Sequence, residues 1–238
     1  MTAYKIRQEH IEEHAHPTFL SDFILGSQDG LVNVLGILLG VSAATSDFRI
    51  IFVAALAALG AESISMGAVA YTSTRSRRML YLKEAEQEHR EIAQIPHVER
   101  QEVSDVLSAW GYAGRKLNSL TDLICSNKKA WVEFMMAFEL KLSPVDKSAP
   151  LKSFITVLFA TIFGSIIPIL PFIMFHNSVE GGMIGSVVLS AIILFLIGYY
   201  EAKTTRGSIL KSGIRMALIG LASGFAGFLI GHFLGATP

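Results

Sequence analysis

Five long apolar blocks constrain this chain more than any other feature: Leu20–Thr45, Arg49–Ser73, Ser153–Phe175, Gly182–Tyr200 and Ser212–Ala236. Crossing the hydrocarbon core of a bilayer takes roughly 20 mostly apolar residues in a helix. Each block is near that length, and together they fill about half of the sequence. The composition agrees, with 51% hydrophobic and 17% charged residues and a mean hydropathy of +0.47. An ordinary soluble domain is excluded.

The placement of charge orients the blocks. Every lysine and arginine except Arg49 lies before the first span, between the second and third, or around the junction of the fourth and fifth. Positive residues stay on the cytoplasmic side. The expected topology has the amino terminus inside, five spans, and the carboxyl terminus outside. Residues 1–19, "MTAYKIRQEHIEEHAHPTF", form a polar cytoplasmic tail without the basic-then-apolar layout of a cleavable signal, so the first span is expected to stay as an anchor. His10, His14 and His16 stand near Glu12 and Glu13 in this tail, which reads as a polar extension more than as a metal site. The single cysteine, Cys125, excludes an internal disulfide and a cysteine-based zinc site.

Residues 74–151 differ in kind. They are rich in both acids and bases, and no apolar run there reaches spanning length. The pattern predicts three helices: "RRMLYLKEAEQEHREIAQI", a break at Pro96, then "VERQEVSDVLSAW", a stop at Gly111 and Gly114, and a third through "LTDLICSNKKAWVEFMMAFELKL" before Pro144. Neither proline nor glycine separates the end of span two from the first of these, which predicts one long helix leaving the membrane. The organisation is therefore a tail (1–19), two spans (20–73), a cytoplasmic helical insertion (74–151) and three spans (152–238). Inside the spans Gly36 and Gly40, Gly220 and Gly224, and Gly227, Gly231 and Gly235 recur four apart, a spacing that lets helices approach closely.

The first chemical question is why Asp29 sits inside span one. A charged group at the bilayer centre costs about 2.5–3.5 kcal/mol on insertion scales and usually faces a partner or cavity. Asp29 lies nine residues into its span, and Met66 lies nine residues before Arg75, the first basic residue beyond span two. At 1.5 Å per residue both sit roughly 13 Å deep. A carboxylate beside a thioether suits a borderline transition metal such as Fe2+, since oxygen supplies charge and soft sulfur disfavours Ca2+ and Mg2+. Glu62, one turn from Met66 on the same face, would add a second carboxylate. Glu201, near an interface, is expected to reach toward water, and His232 either packs or relays protons.

The second constellation lies in the insertion. Glu84, Glu88 and Glu91 share one helix face, Glu99 and Glu102 repeat the three-residue spacing, and Met135 and Met136 precede Glu139 by four and three residues. Like charges this close destabilise a helix by a few tenths of a kcal/mol, on the order of 0.2–0.5 per pair, which a divalent cation would relieve. An exposed Met-Met pair beside a glutamate is an odd surface, although the two methionines can equally be core. There is no phosphate-binding loop, nucleophile elbow, H-E-x-x-H or basic nucleic-acid patch, so neither an enzyme nor a nucleic-acid partner is expected.

Together these residues resemble the vacuolar iron transporter family. The pieces that carry the resemblance are "QDGLVNVLGILLGV", "ISMGAVAYTSTRSRR", "EHREI", "ERQEV" and "MMAFE", in order along nearly the whole chain. The resemblance implies an all-helical integral membrane protein of five transmembrane helices, with a three-helix cytoplasmic metal-binding domain inserted between the second and third. It implies a homodimer with the path between protomers, exporting Fe2+, and in some members Mn2+, from the cytosol in exchange for protons. Asp29 and Met66 match the acid and methionine of the path. Glu88, Glu91, Glu99, Glu102, Met135, Met136 and Glu139 match the cytoplasmic ligands. One departure stands out: the family often has a glutamate four residues after the methionine, where this chain has Ala70. Glu62, one turn to the other side of Met66, is expected to replace it.

The sequence thus reads as a divalent metal transporter that converts no substrate and holds no resident cofactor. Its membrane is the plasma membrane in a bacterium and the vacuolar membrane in a eukaryote. The rival is a membrane-anchored metal sensor or scaffold, which has no need of Asp29, Glu62 and Met66 within its spans.

Overall fold

A computed structural model of the protein describes residues 17–205 and 207–235; the histidines of the amino-terminal tail lie outside them. The described chain is helical throughout, in order α1 (Pro17–Ala44), α2 (Phe48–Gln94), α3 (Pro96–Ala109), α4 (Gly114–Cys125), α5 (Lys128–Phe134) running into a π turn (Met135–Glu139), α6 (Ala149–Met174), α7 (Val179–Thr205) and α8 (Ile209–Gly235). Five of these, α1, α2, α6, α7 and α8, are long and apolar enough to cross a membrane. Two compact units result: one joins residues up to Tyr71 with those from Leu151 onward, and the other covers Thr72–Pro150. Helix α2 contributes to both and is a single helix of 47 residues.

The membrane-spanning unit is assembled where side chains are smallest. A Cβ on Gly231 would stand 1.8 Å from the Gly40 carbonyl oxygen, and one on Gly227 would stand 2.1 Å from that of Gly36. The α1–α8 seam is therefore backbone against backbone, as the four-residue glycine spacing predicts. A second close crossing joins α1 to α6, where a Cβ on Gly164 would lie 2.0 Å from the Ser27 carbonyl oxygen and one on Gly30 would lie 2.4 Å from that of Thr161. Around these seams Val34, Leu38, Ile51, Ala55, Ile169 and Phe172 form a buried cluster. Pro168 and Pro171 lie inside α6, which a spanning helix tolerates when neighbours satisfy the freed backbone groups. The Ser186 hydroxyl, from α7, donates to the Pro168 carbonyl.

In the inserted unit each helix boundary has a local cause. Pro96 lacks an N–H and disfavours helical geometry in the residue before it, so α2 stops and Ile95 turns out at φ −132°, ψ 50°. Helix α3 ends in a glycine cap: Gly111 takes φ +92°, and the Tyr112 N–H returns to the Leu107 carbonyl at 3.2 Å, satisfying an otherwise orphaned acceptor. The expected third helix is not continuous. The Asn127 side chain accepts from the backbone N–H groups of Lys129 and Ala130 at 3.0 and 3.3 Å. It therefore starts a new helix and splits the segment into α4 and α5. The π turn closes with Leu140 N–H on the Met135 carbonyl at 3.0 Å, and Leu142 N–H reaches the Met136 carbonyl at 2.8 Å. Lys141 is left at φ +55°, a place that glycine usually takes.

Candidate functional site

In the membrane-spanning unit, α1 carries Asp29 and Asn33 one turn apart, and α2 carries Glu62 and Met66 one turn apart. The glycines on α1 set its rotation. Gly26 and Gly30 turn one face against α6, which sends the neighbouring Asp29 elsewhere. Asp29 and Glu62 come within hydrogen-bonding reach of each other, and the Asn33 amide donates to Glu62 Oε1. Glu62, expected as a second carboxylate on the face of Met66, thus lies near Asp29. Met66 is half-buried on the same face of α2, one turn beyond Glu62. Asp29 and Glu62 are half-buried too, and Asn33 is exposed on this single chain. Two carboxyl groups and a nearby thioether are donors that can suit a divalent cation, and the Asn33 amide contacts one of the carboxyls.

Asn33 is the residue that the sequence reading passed over. Its signal was available: a polar side chain inside an apolar span, one turn from the carboxylate already suspected. Glu201 instead pairs with Arg215 of α8 at 3.6 Å. His232 stacks on Phe228, with ring centroids 5.9 Å apart and planes 9° from parallel, as a packing histidine does.

The inserted unit gathers a larger acidic group. Carboxylate oxygens of Glu88, Glu91 and Glu99 all lie within 4.8 Å of one another. Glu88 and Glu99 are only 5% and 3% exposed, yet Oε2 of each has no hydrogen-bond partner among the described residues. Glu91 accepts from Gln87 Nε2 at 3.0 Å. Glu99 occupies the first turn of α3, where the helix dipole favours negative charge. Even so, burial pushes the Glu88 carboxyl up to about 8, with the charges of Glu99, Glu139 and Glu91 adding to it. Burial and the charges of Glu102, Glu91 and Glu139 push Glu99 up to about 7. Glu139, at the exposed rim, is raised by partial desolvation and then by Glu102 and Glu91. Glu84, by contrast, pairs with Lys83 at 3.4 Å. Buried carboxylate oxygens aimed at each other without partners are what a bound cation would satisfy.

For Met135 and Met136 the structure takes the core alternative. They are 0% and 1% exposed, inside the core formed with Ile92, Val103, Leu107, Trp131, Val132 and Phe134, and are not an exposed pair. Both belong to the π turn Met135–Glu139. Its extra residue per turn changes the register between the methionines and Glu139, and such turns often mark functional sites. The methionines thereby floor the unit that carries the acids, while Glu139 comes out at the edge.

The chain is similar to curated proteins over almost its full length. It is 31% identical over 222 residues to vacuolar iron transporter 1 of Arabidopsis thaliana, covering 93% of this chain and 88% of that protein. It is 33% identical over 221 residues to vacuolar iron transporter 2 of Oryza sativa subsp. japonica, covering 92% and 89%. The vacuolar iron transporter of Plasmodium berghei is 28% identical over 240 residues, covering 97% and 88%. The sequence model of the VIT family matches residues 20–232. With five spanning helices and this match over most of its length, the chain is a multi-pass membrane protein that belongs to the VIT family.

Proposed function

We propose that this protein carries divalent iron, and also manganese, out of the cytosol across its membrane, in exchange for protons and without converting any substrate. The observation that carries this reading is the nearness of Asp29 and Glu62 within spanning helices, with the Asn33 amide donating to Glu62. An anchor has no use for two carboxyls there, since each charge is costly in hydrocarbon. The relatives' names point to iron, and the mixed oxygen and thioether donors of Asp29, Glu62 and Met66 suit it.

The positive-inside pattern puts the inserted unit in the cytoplasm. There Glu88, Glu91, Glu99, Glu102 and Glu139 collect the ion and raise its local concentration, with Met135 and Met136 beneath them. Asp29, Glu62 and Met66 then take it from water. Proton uptake by a membrane carboxylate on the far side cancels the charge that binds the ion and releases it. Two copies complete the path: Asn33, Asp29 and Glu62 open on the surface of a single chain, and a second copy would shield them from lipid.

Purified protein in liposomes, cytoplasmic face outward, tests the reading. Fe2+ should accumulate inside, faster when the lumen is acidic, and its arrival should alkalinise the lumen. A protein that binds Fe2+ but moves none would be the membrane-anchored sensor instead. Flux indifferent to the pH difference would make it a passive channel.

A further inference from the structure

We infer that Asn33 holds Glu62 in place as the second carboxylate of the membrane site and so sets the preference of that site between manganese and iron. This rests on the transport reading and assigns a residue that the reading does not need.

Glu62 reaches from α2 toward α1 on a side chain with three rotatable bonds. Two groups on α1 meet it, Asp29 and, one turn further on, the Asn33 amide. A carboxylate offers only acceptors, so it is the amide nitrogen of Asn33 that faces Glu62. That donor is neutral. A lysine or arginine in its place would orient Glu62 equally well but would cancel the charge needed for a cation. Asn33 orients the carboxylate and leaves its charge available. It is also an exposed amide on a spanning helix, and its recorded side-chain partner is Glu62.

The consequence concerns which ion is favoured. With Glu62 held in place, the site presents two carboxylates beside one thioether. Carboxylate oxygens suit Mn2+, whereas a thioether shifts preference toward softer ions. With Glu62 released, Asp29 and Met66 remain, a set poorer in oxygen. Asn33 acts through Glu62 and is therefore a positioning residue. Groups that orient a ligand commonly matter about 10–100-fold to metal affinity. If Asn33 merely tied α1 to α2, its loss would lower folded yield and scale the flux of both ions alike.

The test compares initial rates of Mn2+ and Fe2+ uptake by the full-length protein in liposomes, as kcat/KM for each ion. Asn33→Leu and the smaller Asn33→Ala should lower the Mn2+ value about tenfold and the Fe2+ value much less; the pair guards against one variant failing to fold. Asn33→Gln keeps an amide donor and should restore the ratio. Glu62→Gln should match Asn33→Leu, and the double variant should lose nothing further, because the two residues act as one unit. An unchanged Mn2+/Fe2+ ratio in both Asn33→Leu and Asn33→Ala, or losses that add in the double variant, overturns the inference. Absence of flux in the unaltered protein overturns the transport reading itself.

Discussion

In the membrane-spanning unit two carboxyl groups meet each other and a neutral amide. In the inserted unit a larger set of glutamates crowds together over an apolar core, and two of their buried oxygens have no hydrogen-bond partner among the described residues. The contrast follows from what surrounds each site. Among spanning helices every uncompensated charge costs about 2.5–3.5 kcal/mol, so charges are few and a neutral donor does the orienting. The inserted unit carries a charged surface, with ion pairs such as Arg90–Glu86 at 2.9 Å and Arg100–Asp122 at 2.6 Å. It can collect more acids because burial lets some of them keep their protons near neutral pH. One site is economical and oriented. The other is crowded and protonatable.

Asp29→Asn should have the largest effect and divide the two regions most sharply. It preserves size and removes the charge, so flux should fall close to background while the inserted glutamates still bind metal. Normal Fe2+ uptake by this variant would remove the membrane site from the mechanism. The complementary change replaces Glu88, Glu91, Glu99 and Glu102 by Gln together. It should raise the Fe2+ concentration for half-maximal flux by about 10–100-fold and leave the maximal rate in place. A fall in maximal rate with no change in that concentration would erase the division between capture and passage.

Next in size is a test of how each region is held together. Gly231→Ala forces a Cβ to within 1.8 Å of the Gly40 carbonyl oxygen, where the backbone itself must yield, at a cost of about 1–3 kcal/mol. Thermal inactivation of transport should come earlier, with metal binding by the inserted unit unchanged. Gly60→Ala, with nothing within 4 Å of the added Cβ, should be neutral or stabilising by up to about 1 kcal/mol. Equal effects at the two glycines would mean that the seam does not hold the membrane unit.

The smallest expected effect concerns pH. Glu88 and Glu99 are raised to about 8 and about 7, so the folded unit keeps protons that the unfolded chain has already released. Its metal-free stability should therefore be highest near the ordinary carboxylate range, fall as pH rises, and be lowest above about pH 8. Both tryptophans, Trp110 and Trp131, lie in the inserted unit, so their fluorescence during melting reports this unit alone. Saturating Mn2+ should remove the decline, because the cation takes the place of the protons. A metal-free melting temperature that rises from pH 5 to pH 8 would contradict the crowding of these acids.

Much of this was legible in the sequence, for reasons that also explain the remainder. The spanning helices and the glycine seam were readable because apolar length and small-residue spacing are local signals. The break at Pro96 was readable because proline alone forces it. The break at Asn127 was not, since an asparagine starts a helix only when its side chain finds the following amides. Met135 and Met136 were legible only as core or surface, because the π turn shifts register without any residue type that announces it. Glu62 was legible as a charge in the wrong place. Asn33 gave a weaker signal, a neutral polar side chain in an apolar span one turn from Asp29. The convergence of Glu88, Glu91 and Glu99 was half visible: spacing gave each pair, but only the turn at Ile95 brings α3 back against α2.

The glycine seams also bear on what each helix can accept. Helix α1 is closely apposed on two sides, to α8 through Gly40, Gly227 and Gly231 and to α6 through Gly30 and Gly164, where a side chain on any of these glycines would run into the partner's backbone. The glycines of the spanning part of α2 are placed differently: a Cβ on Gly67 would meet the Phe154 ring and the Leu158 side chain, and one on Gly60 would meet nothing within 4 Å. Side chains can change rotamer where backbone carbonyls cannot. A larger side chain is therefore tolerated more readily at Gly60 and Gly67, on the helix that carries Glu62 and Met66, than at the glycines of α1 that face backbone.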